Sequence, residues 1–309
     1  MNTRNIRFRS NRVRDILALY HDELDSLYGR GEMTAFAEML FSEFLGWDRV
    51  RLLLGKEQTV DQSDLLRFHW ALEDLKKCRP IQHIIGYVDF RGCRIEVDPN
   101  VLIPRPETEE MVRALISNFE SGISNHAFEN HNSTFKILDL CTGSGCIAIA
   151  LKNALPQAEV AAVDISSAAL AVARRNAAAN GTDITFVMAD ILDPNYQPPM
   201  TNCQLIVSNP PYVRDTERAA MRPNVLDHEP LQALFVPDND PLLFYRAIAA
   251  VAQRCLAPDG MVAVEINEAL AADTCALFVE KGLNATIHTD FRGKPRWITA
   301  SRAGGTLQS

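Results

Sequence analysis

From Asn11 to about Cys78 the apolar residues recur at helical spacing, first as Val13, Ile16, Leu17, Tyr20 and Leu24 and then as Phe36, Met39, Leu40 and Phe44. This pattern predicts a small helical domain. Two later helices are marked by residues 49–54 and by Leu65, Leu66, Trp70, Leu72 and Leu75, with Asp61 and Ser63 available as N-caps and Pro80 closing the run. His69 and Trp70 read as packing residues on an amphipathic helix. Between Ile84 and Ile103 the period shortens to the alternation of strands, with breaks at Gly86 and Gly92 and a turn at Asp98-Pro99-Asn100. A β-hairpin linking two domains is expected there. Pro104 and Pro106 then fix the approach to a helix whose first turn Glu107, Glu109 and Glu110 favour through the helix dipole. The polar stretch 121–134 reads as a surface loop, and its His126 and His131 as solvated.

From Phe135 onward strands and helices alternate, the pattern of a parallel sheet covered on both faces. Strands are expected over 136–140, 160–164, 184–188, 205–208, 261–265, 285–289 and 296–300, with helices notably over 167–180 and 242–256. Pro258-Asp259-Gly260 reads as the turn into the fifth strand. The short Gly293-Lys294-Pro295 connection suits an antiparallel pair at the end of the sheet. The reading is therefore α/β: a helical domain over 1–83, a hairpin linker over 84–104 and a Rossmann-like domain with a seven-stranded sheet over 105–309.

Composition narrows this picture without changing it. A chain of 309 residues with 47% hydrophobic and 23% charged content suits one large or two ordinary globular domains. No apolar run approaches the ~20 residues of a membrane span, and the N-terminus lacks a secretory apolar core, so a cytoplasmic protein is expected. Seven cysteines without CxxC or His-rich spacing argue for reduced, buried thiols and against a zinc site. The net charge of −8 falls wholly beyond residue 85, since residues 1–85 carry 13 basic and 13 acidic side chains. An acidic main domain is a poor start for gripping nucleic acid by its phosphates, so no direct nucleic-acid binding is expected. Arg4, Arg7, Arg9, Arg12 and Arg14 read as a solvated tail, with a transit peptide or nucleic-acid arm as the rival.

The candidate chemistry centres on Ser208-Asn209-Pro210-Pro211-Tyr212, directly after the apolar run Leu205-Ile206-Val207. The Asn209 side-chain carbonyl and the Pro210 backbone carbonyl are two acceptors that can converge on one planar NH2 group, and Pro210 and Pro211 hold them on a stiff backbone. Tyr212 offers a ring face for a flat group. A strand-ending turn is the bland alternative. Asn-Pro-Pro-Tyr resembles the signature of methyltransferases that alkylate a conjugated nitrogen, either a glutamine amide or the exocyclic amine of adenine. Upstream, Asp139-Leu140-Cys141-Thr142-Gly143-Ser144-Gly145 leaves the first strand of the sheet and opens a helix near Cys146. Asp164 ends the next strand, where an acid accepts from ribose hydroxyls, and Asp190 with Ile191 ends the third, where an adenine should lie. Gly143-Ser144-Gly145-Cys146-Ile147-Ala148 also satisfies G-x-G-x-x-A, which keeps an NAD-linked oxidoreductase and a non-catalytic nucleotide-binding module as rivals. Asp139 discriminates, because an acid there suits a cationic sulfonium with an amino-acid tail and would repel a pyrophosphate. Arg105, a cation between two prolines, either caps a surface loop or anchors an acidic group near the cofactor.

With those residues in place, nearly the whole chain resembles the PrmC/HemK family, the release factor glutamine methyltransferases. The resemblance is carried by Val101-Leu102-Ile103-Pro104-Arg105-Pro106-Glu107-Thr108-Glu109, the glycine loop, Asn209-Pro210-Pro211-Tyr212, and His228-Glu229-Pro230 followed by Ala233-Leu234. It implies a class I S-adenosylmethionine-dependent sheet and methylation of the glutamine in the Gly-Gly-Gln motif of class 1 peptide chain release factors. It further implies a cofactor site of Asp139, Cys141, Thr142, Gly143, Ser144, Gly145, Asp164, Asp190, Ile191 and Asn209. The catalytic residues would be Asn209, Pro210 and Tyr212, with Pro211 and Arg105 joining them at the substrate, and the N-terminal helices would recognise it. A ribosomal-protein glutamine or DNA adenine as acceptor are the alternatives within the same chemistry. Cys141 departs from the pattern, which has glycine there.

Overall fold

The computed structural model describes residues 8–120 and 134–302. The stretch 121–133, with His126 and His131, and Arg4 and Arg7 of the N-terminal arginine series lie outside them. The chain divides into two compact units: the residues up to Gly86 together with Pro223–His228, and Tyr87–Arg222 together with Glu229 onward.

The first unit is built of helices Val13–Tyr28, Arg30–Leu45, Arg49–Leu54 and Gln62–Lys76. Asp48 and Asp61 cap the last two, each accepting from the backbone N–H three residues on, at 2.7 and 2.8 Å. The buried stripe Val13, Ile16, Tyr20 and Leu24 packs with Leu40, Phe41, Phe68 and Leu75, each such side chain contributing roughly 1.5–3 kcal/mol. The aromatic residue buried on the fourth helix is Phe68, whereas Trp70 is 62% exposed. Trp70 is therefore not the packing residue its spacing suggests, because Phe68, two positions earlier, takes the inward face. Arg12 and Arg14 pair with Glu57 at 2.9 and 2.7 Å and so are not part of a free tail. Residues 81–85 form a further short helix that ends at Gly86 with φ 92, which moves the start of the β structure to Tyr87.

In the second unit the hairpin of β1 (Tyr87–Phe90) and β2 (Cys93–Glu96) is a packed part of the fold rather than a free linker. Its Phe90, Cys93 and Ile95 are buried in the core that includes Ile147 and Ala148. The edge of β2 is satisfied by two amides of helix Ser167–Ala179 and its cap. Asn176 accepts from Glu96 N at 2.8 Å and donates to Glu96 O, and Asn180 accepts from Arg94 N at 3.2 Å and donates to Arg94 O. These side chains stand in for a neighbouring strand.

The main sheet comprises β3 (Lys136–Leu140), β4 (Glu159–Asp164), β5 (Thr185–Met188), β6 (Cys203–Ser208), β9 (Leu256–Glu265), β10 (Asn284–Thr289) and β11 (Pro295–Ser301). A separate two-residue parallel pair joins β7 (Val213–Arg214) to β8 (Phe235–Val236). The order is β10-β11-β9-β6-β3-β4-β5, and β11 runs antiparallel to both neighbours, as the short final connection requires. β9 starts at Leu256, not at the turn expected over 258–260. Its register against β6 slips between Cys203 and Leu205, and Gly260 sits there with no room for a β-carbon, which would lie 2.5 Å from the Cys203 carbonyl oxygen.

Alternate residues of each central strand feed two cores, which is why these strands read as largely apolar runs. Ile137, Val160, Leu205 and Ala263 meet helices Pro106–Glu120, Cys146–Ala154 and Ser167–Ala179. Leu138, Val163, Ile206 and Val264 meet helices Leu243–Cys255 and Ala271–Glu280. The chain builds outward from β3 through β4 and β5 and then returns to place β6 on the other side of β3. That reversal opens a crevice beyond the carboxyl ends of β3 and β6.

Candidate active site

The glycine loop leaves β3 at the crevice. Thr142 N donates to Val163 O at 3.0 Å and Gly143 N to Asp164 Oδ2 at 2.9 Å, so the loop leans on the end of β4. Gly143 has φ 55 and a β-carbon there would meet nothing within 4 Å, leaving its backbone open. Gly145, at φ 82, serves packing, since its β-carbon would press on Ala173 at 3.1 Å. Cys141 takes φ 59, a conformation that costs a residue with a β-carbon about 1–2 kcal/mol. This is the physical reason a glycine suits the position. Burial, reinforced by the charges of Asp164 and Asp139, pushes the Cys141 thiol up and keeps it protonated.

A cleft of about 220 Å³ lies over this loop. Cys141, Thr142, Gly143 and Ser144 line it together with Asp164 and the exposed Ile165 beyond β4, Asp190 and Ile191 beyond β5, and Asn209 and Pro211 beyond β6. Asn100, Leu102, Pro104, Thr108, Gln232 and Phe244 are also part of the wall. Among the described residues Asp164 and Asp190 are the charged ones that line it, and none of these is Lys or Arg. Asp164 Oδ1 accepts from Ser166 N at 2.9 Å, and burial raises its carboxyl pKa against the help of these backbone donors. Asp190 Oδ1 accepts from Leu192 N at 2.8 Å.

Asp139 does not line the cleft. It is wholly buried behind the glycine loop, where Oδ2 accepts from the Thr142 hydroxyl at 2.5 Å and Oδ1 has no ordinary hydrogen bond. Burial pushes its carboxyl up to about 7, against the Thr142 hydroxyl and the Ala148 amide. The folded chain thus holds a proton that the unfolded chain releases near 3.8. The resulting stability cost is absent below that value, grows as the pH rises to about 7 and is constant above it. Asp139→Asn is accordingly expected to raise the thermal stability of the ligand-free protein at pH 8 by on the order of 2–4 kcal/mol. Thermal midpoints followed from pH 8 down to pH 4 should show that gain shrinking, and a pH-independent difference would rule out the buried charge as its source.

The Asn209 loop is held from beneath. Ser208 Oγ donates to Leu140 O at 2.7 Å, tying the ends of β6 and β3 together. Asn209 Nδ2 donates to Thr108 Oγ1 at 3.0 Å, and Thr108 in turn donates to Glu265 Oε2. Pro210 and Pro211 are buried. Tyr212 is not a free stacking face: it is packed against the core beneath the sheet, its hydroxyl donates to Glu265 Oε1 at 2.8 Å, and its backbone oxygen accepts from Asn267 Nδ2. Burial, with the neighbouring Glu265 charge, raises the Tyr212 hydroxyl well above its ordinary range, and burial raises Glu265 against its two hydroxyl donors.

Arg105 anchors an acid, but one of the chain's own. Its guanidinium meets Glu229 Oε1 at 2.6 Å, while Glu229 Oε2 accepts from Ile103 N at 2.9 Å. The pair ties the 101–106 loop to the segment that carries Gln232, and both border the cleft. Thr108, Glu265 and Glu229 were not singled out as site residues by sequence reasoning. An acid closing the apolar run of β9 was the available signal for Glu265.

Residues 22–86 match the family model of the PrmC N-terminal domain, and residues 121–227 that of the methyltransferase small domain. A release factor glutamine methyltransferase of Flavobacterium psychrophilum is 41% identical over 279 residues, covering 89% of this chain and 94% of that protein. One of Bacteroides thetaiotaomicron is 38% identical over 288 residues, covering 93% and 99%. Among solved structures the hMettl16 catalytic domain in complex with the MAT2A 3′UTR hairpin 1 superposes with a TM-score of 0.54 at 15% identity, covering 89% of this chain and 93% of that one, a likeness of fold alone.

Proposed function

The chain belongs to the release factor glutamine methyltransferase family, and on that premise we propose that it methylates the side-chain amide nitrogen of the glutamine in the Gly-Gly-Gln motif of class 1 peptide chain release factors, with S-adenosylmethionine as donor. The observation that carries this reading is that one cleft is lined by the open glycine loop, by acids at the ends of two strands and by Asn209.

The wall suits a cationic sulfonium ligand. Among the described residues its charges are carboxylates, and a dinucleotide pyrophosphate would find no cation among them. Asp164 is the acceptor for ribose hydroxyls, and the apolar Ile165 and Ile191 are the faces for a purine. S-adenosylmethionine, when bound, supplies an electrophilic methyl group. Asp139 acts from behind the loop by holding Thr142, not by touching the ligand.

The glutamine amide is a poor nucleophile because its lone pair is delocalised into the carbonyl. Asn209 Nδ2 is already engaged with Thr108, which leaves Oδ1 for an incoming NH2 group, and the Pro210 carbonyl is the second acceptor. Together they orient the nitrogen and stabilise the positive charge that grows on it. The proton leaves after transfer, so no strong base is required. A release factor incubated with methyl-labelled S-adenosylmethionine should take up label, and replacement of its Gly-Gly-Gln glutamine should abolish uptake. Label retained after that replacement would overturn the reading.

The first unit, assigned from the sequence to substrate recognition over 1–83, exposes Val50, Leu53 and Leu54 on one short helix. Leu54→Asp is expected to raise KM for an intact release factor about fivefold, with S-adenosylhomocysteine affinity unchanged. An unaltered KM would remove that helix from the recognition surface.

A further inference from the structure

We propose that Thr108 is a positioning residue, which with Glu265 fixes the Asn209 amide so that its carbonyl oxygen, not its nitrogen, faces the cleft. The inference rests on the reading of Asn209 as the acceptor of the substrate amide. Asparagine has two nearly isosteric ends, and only one of them can do that work. The choice is made by hydrogen bonds that Asn209 does not reach directly.

The Thr108 hydroxyl has one hydrogen, and it goes to Glu265 Oε2. The oxygen of that hydroxyl can then only accept, so the group facing it at 3.0 Å must be the Asn209 NH2. Flipping Asn209 would set two acceptors against each other. Thr108 could relieve the clash by turning its hydrogen to Asn209, but Glu265 Oε2 would then lose its donor in a position where the residue is only 3% exposed. Glu265 cannot compensate through its other oxygen, which the Tyr212 hydroxyl occupies at 2.8 Å. Thr108 lines the cleft but is only 1% exposed, so its hydroxyl has little contact with solvent.

The three parts come from distant stretches: Thr108 from the first turn of helix Pro106–Glu120, Glu265 from the end of β9 and Asn209 from the loop after β6. Their bonds run in one direction, from the amide N–H to the hydroxyl and from the hydroxyl to the carboxylate. Successive bonds of this kind polarise one another, and draining the amide N–H toward a carboxylate enriches Oδ1 in electron density. The relay therefore orients the acceptor and strengthens it at the moment the substrate nitrogen becomes positive.

The test compares Thr108→Val, which keeps the shape and loses both bonds, with Thr108→Ser, which keeps the hydroxyl. Single-turnover rates on a class 1 release factor at saturating S-adenosylmethionine, KM for the factor and S-adenosylhomocysteine affinity are measured on folded preparations. Thr108→Val should slow transfer about 10- to 50-fold, with KM and S-adenosylhomocysteine affinity changed less than about threefold, and Thr108→Ser should recover most of the rate. Should the valine variant not fold, Thr108→Ala takes its place. The Asn209→Ala and Thr108→Val double variant should be no slower than Asn209→Ala alone, because Thr108 acts through Asn209. A wild-type rate in Thr108→Val, or a serine variant as slow as the valine, overturns the relay. If Asn209→Ala is slow while Thr108→Val is normal, only the relay falls. If Asn209→Ala itself runs normally, the acceptor reading falls and the relay with it.

Discussion

Asn209→Ala is expected to slow methyl transfer by roughly 10²–10³-fold while S-adenosylhomocysteine affinity changes little. The substitution removes one acceptor from the substrate amide and leaves the buried prolines that shape the loop. The loss should fall on the chemical step, since the acceptor is worth most when the substrate nitrogen carries charge. It also takes the donor away from Thr108 Oγ1, a single half-buried bond whose absence should cost about 0.5–1.5 kcal/mol of stability. If Asn209 did no more than end β6, that stability change would be the whole effect. Thermal midpoint, S-adenosylhomocysteine affinity and single-turnover rate on one preparation separate the two, and a near-normal rate in a folded variant would remove Asn209 from the mechanism.

The sheet was legible because its central strands are buried on both faces. Runs such as Ile137-Leu138 and Leu205-Ile206-Val207 feed the two cores alternately, with Asp139 the one polar residue buried within β3. The start of β9 was not legible, because the slip against Cys203 absorbs Pro258-Asp259-Gly260 into a strand that local turn propensity would end. Residues 81–85 misread for a related reason: five residues are too few for a helical period to show, and the isoleucines carry strand propensity. Trp70 misled through size, as the helix had a second aromatic two positions away and only one could face inward.

At the site, what lies on one stretch of chain was readable and what depends on long-range pairing was not. The glycine loop and the strand-end acids follow from where the strands stop. The burial of Asp139 rests on a local bond from Thr142 that its strand-end position did not reveal, whereas that Arg105 meets Glu229 and that Thr108 links Asn209 to Glu265 are facts about residues 101 to 157 positions apart. The same holds for Pro223–His228, which grouped with the first unit although it follows the Asn209 loop.

Asp164→Ala should weaken S-adenosylhomocysteine binding by roughly 1.5–3 kcal/mol, on the order of ten- to a hundredfold. Two effects of one carboxylate add here. Its lone pairs toward the cleft are the charged acceptors for ribose hydroxyls, and its bonds from Gly143 N and Ser166 N at 2.9 Å hold the glycine loop against the end of β4. Folding should suffer less than binding. The same carboxyl is disfavoured by burial in the ligand-free protein, so removing it relieves a desolvation cost that offsets the lost backbone bonds. Calorimetric titration beside thermal melts reads both quantities. Unchanged affinity in a folded variant would take Asp164 out of the cofactor site, whereas a melting point that falls in step with affinity would reduce its role to bracing the loop.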